Sequence, residues 1–253
     1  MPVGQAVFVA GFGSGAGKST FCLTVIHALL DKGLQPADIG YIKPATQCES
    51  LTDVAAYCEE VGVECIHVGP VVFRKGFTAT VIASDDPAGK GQELMIQITT
   101  AVTELRSRRR FVLVDGVGYP SVGACCGLGN ARVAAALQIP AILIGPPGLG
   151  DCIDTFELML TYFAAKNVHV VGAIINKMKD TERHVAKEVL PLIQRWFGTN
   201  YPEVQFLGGV PVVARLSESG DVKSPTVFAS DLARSARDST GLHAFLDGFA
   251  KSA

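Results

Sequence analysis

A chain of 253 residues, 48% of them hydrophobic and with a net charge of −2, can bury a full core and has no basic surplus with which to hold nucleic acid. Its 7 cysteines are scattered, with no C-x-x-C pair and no histidine-rich spacing, which speaks against a disulfide or zinc framework and for reduced thiols in the cytoplasm. No apolar run reaches the roughly 18 residues of a membrane span, and residues 1–5 lack the basic and apolar regions of a leader, so a soluble cytoplasmic protein without membrane contact is expected.

The first apolar run, Ala6-Val7-Phe8-Val9-Ala10, predicts a buried strand. It leads into Gly11-Phe12-Gly13-Ser14-Gly15-Ala16-Gly17-Lys18-Ser19, and a helix follows over 19–30, closed by Gly33. Strand, glycine-rich loop and helix together are the context of a phosphate-binding loop. The strict spacing would put glycine where Phe12 stands, with Gly11 and Gly13 on either side of it. In such a loop the backbone from Gly13 through Ser14, Gly15, Ala16, Gly17, Lys18, Ser19 and Thr20 turns its N–H groups to an anion. Lys18 supplies a point charge for β/γ-phosphates and Ser19 a hydroxyl for Mg²⁺.

A second strand is expected over 39–42, ending in Lys43-Pro44, and a helix over 53–61 capped by Thr52. Ile66, Val68, Val71, Val72 and Phe73 suggest extended chain. A long loop carrying Arg74, Lys75 and Asp85-Asp86-Pro87 then reaches a helix over 92–107. Arg106, Arg108, Arg109 and Arg110 read as its solvated end. Phe111-Val112-Leu113-Val114-Asp115, followed by Gly116-Val117-Gly118, has the form of a buried parallel strand delivering a carboxylate to its carboxyl edge.

Helices over 130–137, 154–165 and 182–196 alternate with strands over 141–144, 168–175 and 205–210, with a glycine-rich turn at 145–150. Beyond Leu216 a loop and a terminal helix from Leu242 are expected. This alternation predicts one α/β domain over 1–253, a mostly parallel sheet with helices on both faces and ligands at the carboxyl ends of the strands.

Mg²⁺ takes hard oxygen ligands, and Ser19, Asp53 and Asp115 fall where this topology converges. Asp115 is the stronger acid candidate, because a carboxylate ending an apolar strand is costly to bury without a cation or hydrogen bonds. Asp53 divides between a metal ligand and a helix-start residue. Lys43 can neutralise a phosphoryl group in transit, or be a surface lysine. Asn176 can match an adenine edge, or form a turn. Arg74 and Lys75 can meet an anionic substrate. The 5 histidines form no triad, and Cys125-Cys126, which follows the Asp115 loop, can approach the site or be small buried packing.

Taken together, these pieces resemble the dethiobiotin synthetase family of P-loop enzymes over about residues 5–216, with 217–253 as a tail and helix. The family has the same extended loop, a G-Y-K-P type element resembled by Gly40-Tyr41-Ile42-Lys43-Pro44, and an L-V-E-G-A-G-G stretch resembled by Leu113-Val114-Asp115-Gly116-Val117-Gly118. Leu207-Gly208-Gly209-Val210-Pro211 is similar to its L-G-x-I-P element, and Gly172-Ala173-Ile174-Ile175-Asn176 to its base-recognising segment. The resemblance implies that Lys18 and Lys43 contact the γ-phosphate of ATP, that Ser19, Asp53 and Asp115 hold Mg²⁺, and that Asn176 with Pro211 receives adenine.

It also implies the family's activity in biotin biosynthesis, at a site shared across a homodimer. A carbamate formed on a diamine is phosphorylated by ATP, and the second amine closes a cyclic urea. Gln47, Arg74, Lys75 and Gly118 are the candidate substrate residues, and two departures from the family lie on this substrate side. Gly15 stands where the family has a glutamate, and Gln47 where it has a serine. Lys43-Pro44-Ala45-Thr46-Gln47 is closer to the dethiobiotin-synthetase-like N-terminal domain of long phosphotransacetylases, which serves a regulatory role. The loop lacks the extra lysine of the MinD/ParA relatives. Two expectations follow: an ATP- and Mg²⁺-dependent carbon–nitrogen ligase acting on an unidentified small molecule, or a nucleotide-binding regulatory module.

Overall fold

Period-two alternation along the first strand, β1 (Gln5–Gly11), sends Ala6, Phe8 and Ala10 to one face of a sheet and Val7 and Val9 to the other, and both sets are buried. The computed structural model describes residues 4–179, 183–217 and 219–252. Beside β1, the sheet contains β2 (Ile39–Ile42), β4 (Glu64–Ile66), β6 (Phe111–Asp115), β7 (Ala141–Gly145), β8 (Val170–Met178) and β9 (Gln205–Pro211), in the order β4-β2-β6-β1-β7-β8-β9 with every pairing parallel. A small parallel pair, β3 (Ala45–Thr46) and β5 (Val71–Val72), lies beyond the end of β2.

Parallel strands need crossovers, and here helices provide them on both faces. One face is covered by α1 (Lys18–Asp31), α2 (Asp53–Val61), α8 (Pro225–Ser239) and α9 (Leu242–Ser252), whose Ile26, Tyr57, Phe228 and Leu246 share a core with Val7 and Val9. Opposite stand α4 (Pro87–Arg108), α5 (Asn130–Leu137), α6 (Gly150–Ala164) and α7 (Arg183–Asn200), whose Ile98, Val133, Phe156 and Phe197 share a second core with Phe8. Each such side chain contributes about 1.5–3 kcal/mol by leaving water. The chain leaves β1 towards β2 on one side, and later crosses from β6 to β7 on the other. The carboxyl end of β1 is therefore a topological switch point, where open α/β sheets bind ligands.

The expected fold class is observed, with differences in particular elements. A short helix, α3 (Phe77–Ile82), stands in what reads as loop. Helix α4 begins at Pro87 rather than near Gln92, because Asp86 caps it by accepting from Gly89 N at 2.8 Å. Gly89 and Gly91 conceal that first turn in the sequence. Helix α6 starts at Gly150, inside the glycine-rich turn. Helix α8, in the tail expected to be loop, is capped by Ser224 with Pro225 at its first position, and it buries Phe228, Leu232 and Ala236 at four-residue spacing. The start expected for α7, at Glu182, lies outside the described residues, as do Met1, Pro2 and Val3.

Within the arginine run Arg108 and Arg110 are exposed, as expected, while Arg106 and Arg109 are partly buried, and the run is also tied down by hydrogen bonds and ion pairs. Arg106 donates to the Gly4 carbonyl at 2.9 Å, while Arg108 and Arg109 reach Glu64 at 2.8 and 2.6 Å and hold its carboxyl below the usual range.

Candidate functional site

Four apolar residues carry Asp115 into the interior at the end of β6, where it is fully buried and paired in register with Val9. Taking a carboxylate out of water costs several kcal/mol unless donors meet it. Three do, all at one oxygen: Asp115 Oδ2 accepts from Ser19 Oγ at 2.5 Å, Tyr41 Oη at 2.6 Å and Lys43 Nζ at 2.8 Å. Tyr41 and Lys43 sit two positions apart in extended chain, so both reach the same side of the sheet, and Ile42 between them enters the opposite core. Burial, then the nearby carboxylate, pushes the Tyr41 phenol well above its ordinary range. The other oxygen, Asp115 Oδ1, is buried with no hydrogen-bond partner among the described residues.

Lys18 opens α1 with its side chain turned back under the loop, where Nζ donates to the Gly13 carbonyl at 2.9 Å and the Gly118 carbonyl at 3.0 Å. Burial lowers its pKa from 10.5 to about 8, with Asp115 opposing the shift and Lys43 adding to it. Gly17 precedes it at φ 88°, the left-handed region. A Cβ there would also stand 2.1 Å from Asn176 Nδ2, so no side chain fits. That amide donates to the Ala16 carbonyl at 3.0 Å and stitches β8 to the loop. Asn176 lies within β8 rather than at its end, and its amide donates to the loop.

Above this frame opens a cavity of about 370 Å³, lined by Ser14, Gly15, Gly17, Lys18, Ser19 and Thr20 on one side and by Lys43, Thr46, Gln47, Cys48, Val117 and Gly118 on the other. Thr46, from β3, shapes the second wall by hydrogen-bonding both the Cys48 carbonyl and the Cys48 N–H. Lys177 completes the lining. Three lysines and no lining carboxylate suit this cavity electrostatically to a polyanion. Ser19 and Asp115 are hard oxygen donors of the kind Mg²⁺ takes, and the unpartnered Oδ1 gives such an ion a reason to be there, so the residues present fit one.

Other expected site residues lie elsewhere. Asp53 does not join the Ser19–Asp115 cluster: it begins α2 at the surface and pairs with Arg215 at 3.1 Å, a charge the sequence reading did not consider. Arg74 pairs with Glu49 at 2.6 Å, and neither Arg74 nor Lys75 lines the cavity. Pro211 ends β9 beside Met178, likewise off the lining. Cys126 is buried as expected but Cys125 is exposed, and the two border a different cavity with Met95 and Arg132 rather than the site. Two contributors went unread. Tyr41 was legible in principle from its spacing to Lys43, whereas Lys177 reaches the cavity through a left-handed backbone, φ 63°, that no periodicity announces.

The AAA domain family profile matches residues 5–226, from β1 into α8. The chain belongs to that family. Among curated proteins it is similar to the ATP-dependent dethiobiotin synthetase BioD of Xanthomonas oryzae pv. oryzae (strain PXO99A), 25% identical over 199 residues, covering 75% of this chain and 86% of the relative. It is 26% identical over 182 residues to the enzyme of the same name from Bacillus licheniformis, covering 68% of this chain and 73% of the relative. This member of the family is thus a dethiobiotin synthetase-like P-loop NTPase. Among solved structures, the signal recognition particle receptor FtsY from Elizabethkingia anophelis in complex with GDP superposes with a TM-score of 0.51 at 14% identity over 92% of this chain. The chain spans 65% of that receptor's length, and the likeness is one of fold. Among the described residues no helix is long and apolar enough to cross a membrane.

Proposed function

We propose that this site binds ATP with Mg²⁺ and acts as a ligase of dethiobiotin synthetase type: an oxygen of a carbamate or carboxylate attacks the γ-phosphorus, ADP leaves, and an amine then displaces phosphate to form a C–N bond. The observation carrying this reading is the convergence of Lys18, Ser19 and Lys43 on the carboxyl edge at Asp115, beneath a cavity without a lining carboxylate. Phosphoryl transfer asks a protein for positioning and charge compensation, and these groups supply both.

In this proposal the loop N–H groups from Gly13 to Thr20 hold the phosphates and Lys18 contacts the β/γ oxygens. Lys43 follows the transferred group. Ser19 and Asp115 hold Mg²⁺, which when bound neutralises charge on the phosphates. Asp53 would join them only by exchanging Arg215 for the cation. Asn176 and Pro211 would receive adenine, as the resemblance implies. Gln47 and Gly118 border the acceptor, while Arg74 and Lys75 would meet it only after Arg74 gave up Glu49. A homodimer is proposed from the resemblance alone.

The test incubates pure protein with ATP, Mg²⁺, bicarbonate and 7,8-diaminopelargonate and follows ADP. Release that depends on the diamine supports the ligase, and an unchanged background rate ends this version. A second reading, a nucleotide-binding regulatory module, is favoured by Gly15 and Gln47 on the substrate side and by the Asp53–Arg215 pair. Loss of substrate-side groups costs chemistry more than nucleotide binding. Calorimetry showing tight ATP binding with negligible turnover across candidate amines and acids would decide for it.

A further inference from the structure

The distribution of donors around Asp115 is lopsided. Oδ2 accepts from Ser19, Tyr41 and Lys43, whereas Oδ1 has no partner among the described residues and is shut off from solvent. Ser19 and Lys43 border the open cavity, so a phosphate or a cation arriving there competes for them. Tyr41 differs. It is fully buried in the core formed with α1 and α2, does not line the cavity, and its hydroxyl has Asp115 Oδ2 within reach at 2.6 Å. It is the one donor of the three that an incoming ligand cannot recruit.

We propose that Tyr41 is a positioning residue for the cation site: its phenol pins Oδ2 of Asp115 and holds the carboxylate's orientation when Ser19 and Lys43 turn to the ligand. This rests on the reading of the cavity as an Mg²⁺–nucleotide site. The physics is that of a hydrogen bond behind a metal ligand, which holds the ligand's orientation and whose loss typically costs about 10–100-fold in metal affinity. A 2.6 Å bond from a buried hydroxyl to a carboxylate is of the strong, charge-assisted kind. Strand geometry supplies it, because the two-residue step from Tyr41 to Lys43 aims both side chains at one atom.

The experiment is a Mg²⁺ titration of nucleotide binding to the full chain, using a fluorescent ATP analogue, for wild type and Tyr41→Phe. We expect the Mg²⁺ concentration at half-saturation to rise about tenfold or more in the variant, with affinity for the metal-free nucleotide within about twofold of wild type. A variant whose Mg²⁺ demand is unchanged, while wild type binds in a Mg²⁺-dependent way, overturns the role of Tyr41 and leaves the nucleotide site standing. A wild type that binds no nucleotide overturns the nucleotide-site reading and this inference with it. Thermal shift covers a destabilised variant: the increment from nucleotide alone should persist, and the further increment from Mg²⁺ should shrink. Equal loss of both increments marks a merely structural role and also overturns the proposal.

Discussion

Ser19 Oγ donates to Asp115 Oδ2 across 2.5 Å, joining the first turn of α1 to the last residue of β6 although the two residues are 96 positions apart. Because Tyr41 and Lys43 remain on the same oxygen, Ser19→Ala should cost only about 1 kcal/mol of stability, the net worth of one hydrogen bond. Binding of metal-free ATP should be near wild type, and the strengthening produced by Mg²⁺ should be lost. Chemical denaturation and calorimetry with and without Mg²⁺ check both halves. A variant that keeps full Mg²⁺ dependence would remove Ser19 from the metal's ligands.

Lys43 and Lys18 should separate chemistry from binding. Lys43→Gln keeps an amide donor near Asp115 but removes the cation of its ion pair. Turnover is expected to fall about 100-fold or more while ATP affinity stays within a few-fold, as for other groups that stabilise a transition state. Lys18→Ala should instead weaken ATP binding about 10–100-fold, the loss of a hydrogen bond to a charged group. Equal effects of the two substitutions on affinity would contradict this division of labour.

The sheet and the phosphate-loop frame were legible because local and global signals agree there. β6 and α5 occupy the very ranges their apolar runs predict, since a strand covered on both faces has no polar position to blur it. Helix α4 was cut short by Gly89 and Gly91, where close packing of Gly91 on the Cys126 carbonyl overrides glycine's low helix propensity. The site was legible where a residue's role follows from strand order, as for Lys43 and Asp115. It was not legible where the role depends on a pairing between distant segments. Nothing in the sequence around Asp53 says that Arg215 will reach it, and the left-handed turn at Lys177 leaves no pattern to read.

The Asp53–Arg215 pair gives a third prediction. Asp53 is about half exposed, so the pair is worth roughly 0–1 kcal/mol, and Asp53→Ala in metal-free protein should change stability by no more than that. If Asp53 completes the cation site on binding, Arg215 competes with the metal for it. Arg215→Gln should then lower the Mg²⁺ concentration needed for tight ATP binding by a few-fold. Arg215 also donates to the Lys223 carbonyl and lies 5.0 Å from the centre of the Phe228 ring, so a modest fall in melting temperature is expected alongside. An Mg²⁺ titration of the variant that matches wild type would leave Asp53 as a helix-start residue and nothing more.

The depressed Lys18 pKa predicts a pH dependence of stability in the ligand-free protein. Below about pH 8 the ammonium is charged in both folded and unfolded chains; between about 8 and 10.5 the folded chain has lost the proton that the unfolded chain still holds. More protons on the unfolded side mean that stability rises with pH across this window, by a total approaching 3 kcal/mol at about 1.4 kcal/mol per pH unit. Asp115, Lys43 and Cys22 are the charged or titratable groups acting on Lys18, and burial pushes the Cys22 thiol up, so Cys22 pulls the opposite way once unfolded thiols ionise above about pH 9. Comparing wild type with Lys18→Met removes most of that shared background. The stability difference between them, measured by denaturant unfolding, should move in favour of wild type as pH rises from 8 to 10.5. A difference that stays flat over that range would mean that Lys18 keeps an ordinary pKa, and that burial beneath the loop does not strain its charge.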